Sequence, residues 1–263
     1  MHTETQVFSL HFLEEGNGRP LLLIHGFPFN ARMWQPQLGQ LGGNVRMLAP
    51  DLPGFGDSPA MQGTGSVRAY AEDCAALLDA QDILEPVVVA GLSMGGYIAM
   101  AFARHFPERV GALVLASTRA GTDSEEGQAN RDKTIEKLRA QGVSVLVDEM
   151  HPKLLAPQTY IEKPEVAENL KQIMLASTTE GAVGALEAMR DRPDSTDLLS
   201  KLKMPILIVH GEEDQVIPPS EAQSMAAAIP VVQMEIIAGA GHLPNMEQPE
   251  QFNRILGDFL GKI

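Results

Sequence analysis

The 263-residue chain predicts an α/β fold: a mostly parallel central sheet with helices on both faces and a helical lid inserted between two strands. Three observations lead there. Compact runs of Val, Ile, Leu and Ala alternate with helical patterns over both ends of the chain, as strands buried on both faces require. The alternation lapses over residues 117–204, where prolines and helical spacings replace strand-like runs. Finally, "VVVAGLSMGG" (87–96) passes from an apolar run through a glycine-flanked serine into a helical pattern, which marks a sharp strand-to-helix turn.

In chain order, residues 7–12 read as a first strand and 20–24 as a second, buried one. The runs at 45–48, 87–90, 112–116 and 206–210 have the length and composition of strands covered on both sides, and a weaker strand follows at 232–237. Helices are expected near 31–41, 67–80, 94–105, 220–228 and 247–260. Within 117–204, Val166, Leu170, Ile173 and Met174 form one apolar stripe at helical spacing, and Ala182, Val183, Leu186 and Met189 form another. Ser177 followed by Glu180 has the spacing of a capping box opening the second of these helices. Prolines at 152, 157, 164 and 193 cut the segment into short pieces. The expected organisation is a core of residues 1–116 and 205–263 and a helical cap of residues 117–204.

Composition narrows the class. Hydrophobic residues are 44% and charged residues 21% of the chain, enough to bury a core and inconsistent with global disorder. A formal net charge of −14 argues against a nucleic-acid partner, which needs clustered Lys and Arg. No apolar run approaches the ~20 residues of a membrane span. The single cysteine, Cys74, rules out an intramolecular disulfide and fits a reducing compartment. "MHTETQVFSL" lacks the basic and apolar regions of a signal peptide, so a cytoplasmic location is expected. The histidines are scattered and neither HExxH nor GxxxxGK[ST] occurs, so no metal and no cofactor are expected. The expected partner is a small molecule, and the protein is expected to be a monomer or small homo-oligomer.

Only Ser93, among all the serines, has glycine at both −2 and +2. A serine on such a turn takes a strained backbone conformation, and side chains at ±2 would collide, which accounts for Gly91 and Gly95. A hydroxyl is a poor nucleophile at neutral pH and needs an imidazole oriented by a carboxylate. Of the seven histidines, His25 and His210 end strands and read as structural or pocket-wall residues. His242, in "AGAGHLPNMEQPE", sits in a glycine-rich loop able to carry an imidazole over the sheet edge. The stretch "ILIVHGEEDQVIPP" offers Glu212, Glu213 and Asp214 after a buried strand, and Asp214 lies deepest in the turn. The order Ser93, Asp214, His242 is that of nucleophile-elbow hydrolases. Each follows a strand, and ligands of open α/β sheets bind at that edge. Asp123 is a rival carboxylate, though "RAGTDSEEG" reads more simply as a turn or helix cap. Donors for a tetrahedral oxyanion are expected from the backbone N–H groups of Met94 and Phe27.

"HGFPFNARMW", "DLPGFGDS", "GLSMGG", "GEEDQVIPP" and "GAGHLPNMEQPEQFN" fall, in order, where the α/β-hydrolase superfamily has its characteristic loops, and the sequence resembles that family over nearly its whole length. Within it, the chain resembles small lidded carboxylesterases, 3-oxoadipate enol-lactonases and cofactor-free haloperoxidases or perhydrolases. Haloalkane dehalogenases and epoxide hydrolases of this fold use an aspartate nucleophile, so serine at position 93 sets both aside. The resemblance implies a serine esterase with Ser93 as nucleophile, His242 as base and Asp214 as its support, acting on small to medium carboxylic esters. The alternatives are an anionic enol-lactone as substrate, with Arg119 facing its carboxylate, or a cofactor-free perhydrolase or haloperoxidase activity. Residues 117–204 hold twelve of the twenty Lys and Arg, but also fifteen Asp and Glu, which solvated helix faces explain more simply. Phe27, Met94, Arg119, Met150, Met174 and Met189 are the candidate substrate-binding residues, the methionines of the cap being adaptable apolar surface. A non-catalytic receptor on the same fold is the third reading.

Overall fold

The computed structural model describes residues 10–41, 44–60 and 65–263. Among them seven strands form one sheet in the order β1-β3-β2-β4-β5-β6-β7. They are β1 (Phe12–Glu15), β2 (Arg19–Ile24), β3 (Val45–Pro50), β4 (Val87–Leu92), β5 (Val110–Ala116), β6 (Ile206–Gly211) and β7 (Gln233–Ile237). Only β1 is antiparallel, pairing with β3 so that Phe12 faces Pro50; the other five pairings are parallel. The chain therefore leaves β2, β4, β5, β6 and β7 at the same edge of the sheet. β4 and β6 are buried at every residue, in keeping with the apolar runs at 87–90 and 206–209.

Helix α1 (Val67–Ala80) is capped by the Ser66 hydroxyl on Ala69 N–H and packs on α2 (Met94–His105), which lies against β4 and β5. Six helices then separate β5 from β6: α3 (Glu125–Gln141), α4 (Ser144–Leu154), α5 (Pro157–Glu162), α6 (Pro164–Leu175), α7 (Thr179–Arg190) and α8 (Thr196–Leu199). The two strands still pair directly, Leu113 opposite Ile206. α9 (Pro219–Ala228), α10 (Pro244–Glu247) and α11 (Pro249–Leu260) complete the chain. α11 buries Phe252, Ile255, Leu256, Phe259 and Leu260, a stripe at helical spacing. No helix among the described residues is long and apolar enough to cross a membrane.

The structure corrects several sequence expectations. Of the first strand, residues 7–9 lie outside the described residues, and among those described the strand runs Phe12–Glu15, past the expected end at residue 12. The half-exposed "FLEE" of this edge strand offers no apolar run to find. The helix expected near 31–41 is one 3₁₀ turn, Ala31–Trp34, because Pro36 has no N–H to extend the ladder. The last helix is broken at Gln248 into α10 and α11, each opened by its own proline. The cap of α7 is Thr178, whose hydroxyl accepts from Gly181 N–H at 3.0 Å. Ser177 instead donates to Pro28 O at 3.0 Å, beside Asn30, whose amide reaches Ile173 O at 3.3 Å. These two bonds seat the end of α6 on the loop that follows β2.

Candidate active site

β4 ends at Leu92 and α2 begins at Met94, so one residue makes the whole turn. That residue is Ser93, with φ +56° and ψ −114°, a conformation a side chain seldom adopts. Ser93 N–H donates to Ala116 O at the end of β5 (2.9 Å), and Thr118 Oγ1 donates to Ser93 O (2.8 Å), so both backbone polar groups are held by the end of the neighbouring strand and the residues just after it. The flanking glycines are steric necessities: a Cβ on Gly91 would lie 2.0 Å from Gly95 O, and one on Gly95 2.2 Å from Ile24 O.

Two strands away, the turn after β6 carries Asp214 and the loop after β7 carries His242. Glu212 and Glu213 N–H bond to Ile237 O and Ala240 O, each at 2.9 Å, which draws the two loops together. His242 Nδ1–H donates to Asp214 Oδ2 at 2.8 Å, both side chains buried. Asp214 Oδ1 accepts from Val216 N–H (2.8 Å) and Ile217 N–H (3.0 Å). His210, at the end of β6, shares its Nε2–H between Ile217 O (2.8 Å) and Asp214 Oδ2 (3.1 Å). Burial by itself would raise the Asp214 carboxyl, but electrostatic attraction to the His242 ring and the bonds from His210 and His242 hold it well below the usual carboxylate range. With Nδ1–H given to Asp214, the His242 Nε2 lone pair is left free to accept a proton. Glu212 and Glu213 are exposed, and neither takes this position.

The loop after β2 runs His25-Gly26-Phe27-Pro28. His25 is buried, its Nδ1–H on Gly26 O (2.8 Å) and its Nε2 accepting Leu52 N–H (2.9 Å). Burial pushes its pKa down to about 4, against the Gly26 bond, so it is a neutral structural residue. Phe27 is buried with its ring edge-on to Phe55, and the Phe27–Pro28 peptide is cis. Among the described residues no protein acceptor takes the N–H of Phe27 or of Met94.

Asp123 belongs to a different construction. Its carboxylate accepts from Arg119 and Arg131, and from Arg192 at 2.9 Å, with the Asp123 and Arg192 side chains each only 2% exposed. Arg192 also reaches Met189 O (2.6 Å) and Gly121 O (2.8 Å) and lies 4.2 Å over the Tyr97 ring. Burial would raise the Asp123 carboxyl, and the bonds and charges of Arg131 and Arg192 override it, holding it well below the usual range. Asp123 thus has no histidine partner, and Arg119 is already engaged by it. Of the candidate methionines, Met174 and Met189 are buried in the hydrophobic core and Met150 packs half-buried against it.

Among the described residues one grouping has metal-ligand spacing: His11, Asp51 and Asp57. Asp51 already accepts from Ala31 N–H (2.7 Å), Asp57 N–H (3.0 Å) and His11 Nδ1 (2.7 Å), and Arg32 stands 3.6 Å from Asp57. Its lone pairs tie three segments together.

Comparison with known proteins agrees with this architecture. Residues 21–255 match the model of the alpha/beta hydrolase family, and the chain belongs to that family. The AB hydrolase superfamily protein YisY of Bacillus subtilis is 30% identical, with 94% of each chain aligned. Among solved structures, a thermophilic esterase from Thermogutta terrifontis, determined with malate bound, is 42% identical. It covers 96% of this chain and 93% of its own, with a TM-score of 0.94. The enol-lactonase of Burkholderia xenovorans LB400 is 26% identical over 96% of each chain, with a TM-score of 0.89.

Proposed function

We propose that the protein is a serine hydrolase of small to medium, uncharged carboxylic esters, working through an acyl-enzyme. The observation that carries this reading is the buried Asp214–His242 pair on the sheet edge where Ser93 is held at φ +56°. In the proposed reaction Ser93 Oγ attacks the ester carbonyl while His242 Nε2 takes its proton. Asp214 keeps Nδ1 protonated and stabilises the imidazolium, and His242 then returns the proton to the leaving alcohol. The N–H groups of Phe27 and Met94 are the proposed donors to the oxyanion, since neither is spent on the protein. Water drawn on by the same imidazole releases the acid. The helices of residues 117–204 are the proposed lid over this edge.

The likeness to the Thermogutta esterase, the nearer of the two structures in sequence, supports an ester substrate. The likeness to enol-lactonases keeps an anionic lactone as the second reading. Arg119 is the weak point of that reading, because Asp123 already holds its guanidinium. Two measurements test the proposal. Ser93→Ala should lose on the order of 10⁴-fold or more in p-nitrophenyl butyrate hydrolysis while staying folded. A fluorophosphonate should label Ser93 in the native protein. Turnover by Ser93→Ala close to wild type would refute the assignment, and a strong preference for anionic lactones would transfer the substrate class to the second reading.

A further inference from the structure

Glu247 ends α10 in a stretch, "PNMEQPE", that reads as an ordinary polar helix start, yet its side chain is completely buried. No basic side chain pairs with its carboxylate among the described residues. Four neutral donors converge on it instead. Oε1 accepts from Gly241 N–H (2.8 Å) and Leu243 N–H (3.2 Å), the residues on either side of His242. Oε2 accepts from Ala156 N–H (2.7 Å) and Thr159 Oγ1 (2.8 Å), at the start of α5. A carboxylate has about four lone-pair positions, and here every one is used, two toward the histidine loop and two toward the helices between β5 and β6.

The surrounding contacts run between the same two segments. His242 N–H donates to Leu154 O (2.9 Å), and Lys163 Nζ donates to Glu247 O (2.6 Å). Gly241 lies so close that a Cβ there would stand 2.5 Å from Ala156 N. Burial pushes the Glu247 carboxyl up from its ordinary range and the four bonds oppose it, so the group is held there against its own solvation preference.

We propose that Glu247 is a positioning residue that fixes the backbone on both sides of His242 by anchoring it to residues 154–163 of the helical insertion. The inference rests on the hydrolytic reading of Ser93 and His242. It makes residues 154–163 the fixed part of the insertion, the buttress of the general base, and leaves any opening for substrate to the helices on either side.

The test compares Glu247→Gln, Glu247→Asp and Thr159→Val with wild type, with Ser93→Ala and with Leu78→Ala, a core variant of α1 that lowers stability far from the site. The glutamine amide turns an N–H toward one of the two donor pairs, and Thr159→Val removes one donor with little change of shape. Each is assayed for p-nitrophenyl butyrate hydrolysis, fluorophosphonate labelling rate and melting temperature, the kinetics well below every transition. Glu247→Gln should lower kcat and the labelling rate by roughly 30- to 100-fold with KM nearly unchanged, as for a displaced catalytic group. Thr159→Val should lower both by about fivefold, and the double variant should be no worse than Glu247→Gln alone. Glu247→Asp should recover part of the loss. Leu78→Ala should keep wild-type kcat despite its lower melting temperature. If Glu247→Gln and Thr159→Val melt earlier but keep wild-type kcat and labelling, Glu247 is only structural and the inference falls. Should Glu247→Gln not fold, Thr159→Val and Glu247→Asp decide the same question. Turnover by Ser93→Ala would sink the hydrolytic reading itself, a distinct result.

Discussion

Asp123→Asn and Asp214→Asn remove one charge each from two buried aspartates and should have opposite consequences. At Asp123 the partner left behind is Arg192, only 2% exposed, whose remaining bonds are to two neutral carbonyls and the Tyr97 face. Removing one member of a buried pair typically costs about 3–5 kcal/mol, because the other charge stays desolvated. For 263 residues the unfolding entropy is about 0.55 kcal/mol/K, so the melting temperature should fall by roughly 5–9 °C. Activity of the folded enzyme at 25 °C should stay within a few-fold of wild type. At Asp214, asparagine can still accept from Val216 and Ile217 N–H through its oxygen, so stability should change little. Its amide then faces His242 Nδ1, which must become an acceptor, so the single ring proton sits on Nε2 and leaves no lone pair there for the proposed proton transfer from Ser93. We expect kcat to fall by roughly 10²–10⁴-fold. Calorimetry and ester hydrolysis on both variants decide the matter. An Asp123→Asn enzyme that melts like wild type but loses its turnover would refute the reasoning and move the acid to Asp123.

Three further outcomes concern other parts of the molecule. Asp73, half-buried on α1, has its pKa raised to about 6 by burial and by Glu72, and its Oδ2 lacks a partner among the described residues. A carboxyl raised in the folded state binds its proton more tightly there, so stability falls as pH rises from about 4 to 6 and stays lower above. Asp73→Asn should therefore stabilise at pH 7.5 by about 1 kcal/mol, after discounting the shift for solvent screening, and by nothing at pH 3; equal gains at both pH values would contradict this. Gly95→Ala puts a methyl against the Ile24 carbonyl and should cost about 3 kcal/mol, visible as an earlier melt or insoluble protein. Across a panel of acyl chains and lactones, p-nitrophenyl butyrate should be turned over faster than any anionic lactone, because Arg119 is held by Asp123.

How far the sequence can be read depends on what each residue answers to. Strands β2, β4, β5 and β6 are buried on both faces, so composition alone marks them. The Ser93 turn is legible because its requirement is local: a strained residue with glycine on both sides. Asp214 and His242 are marked by their place after strands, although the bond between them spans 28 residues. Glu247 gives no such signal. Its donors at 156 and 159 lie some ninety residues earlier, and nothing in a glutamate beside a proline announces burial. The arginines on Asp123 hide likewise, at 4, 8 and 69 residues from their acid. Edge strand β1 escapes the pattern because pairing with β3, rather than any apolar run, defines it.

The Asp123 node also bears on how the sheet is completed. Pairing β5 with β6 in an unfolded chain means closing a loop of about ninety residues, an entropic cost of roughly 4 kcal/mol. The two ends of that loop are clasped before the strands are reached: Ser195 N–H bonds to Ala120 O at 3.0 Å, and Arg192 spans Gly121 and Asp123. Once the clasp is shut, only short connectors separate the strand ends, and their register follows almost without further search. We expect helices α3 to α7 to gather before the sheet closes, so that Asp123→Asn slows the refolding limb of a chevron more than it speeds unfolding. A change confined to the unfolding limb would place clasp formation after the sheet.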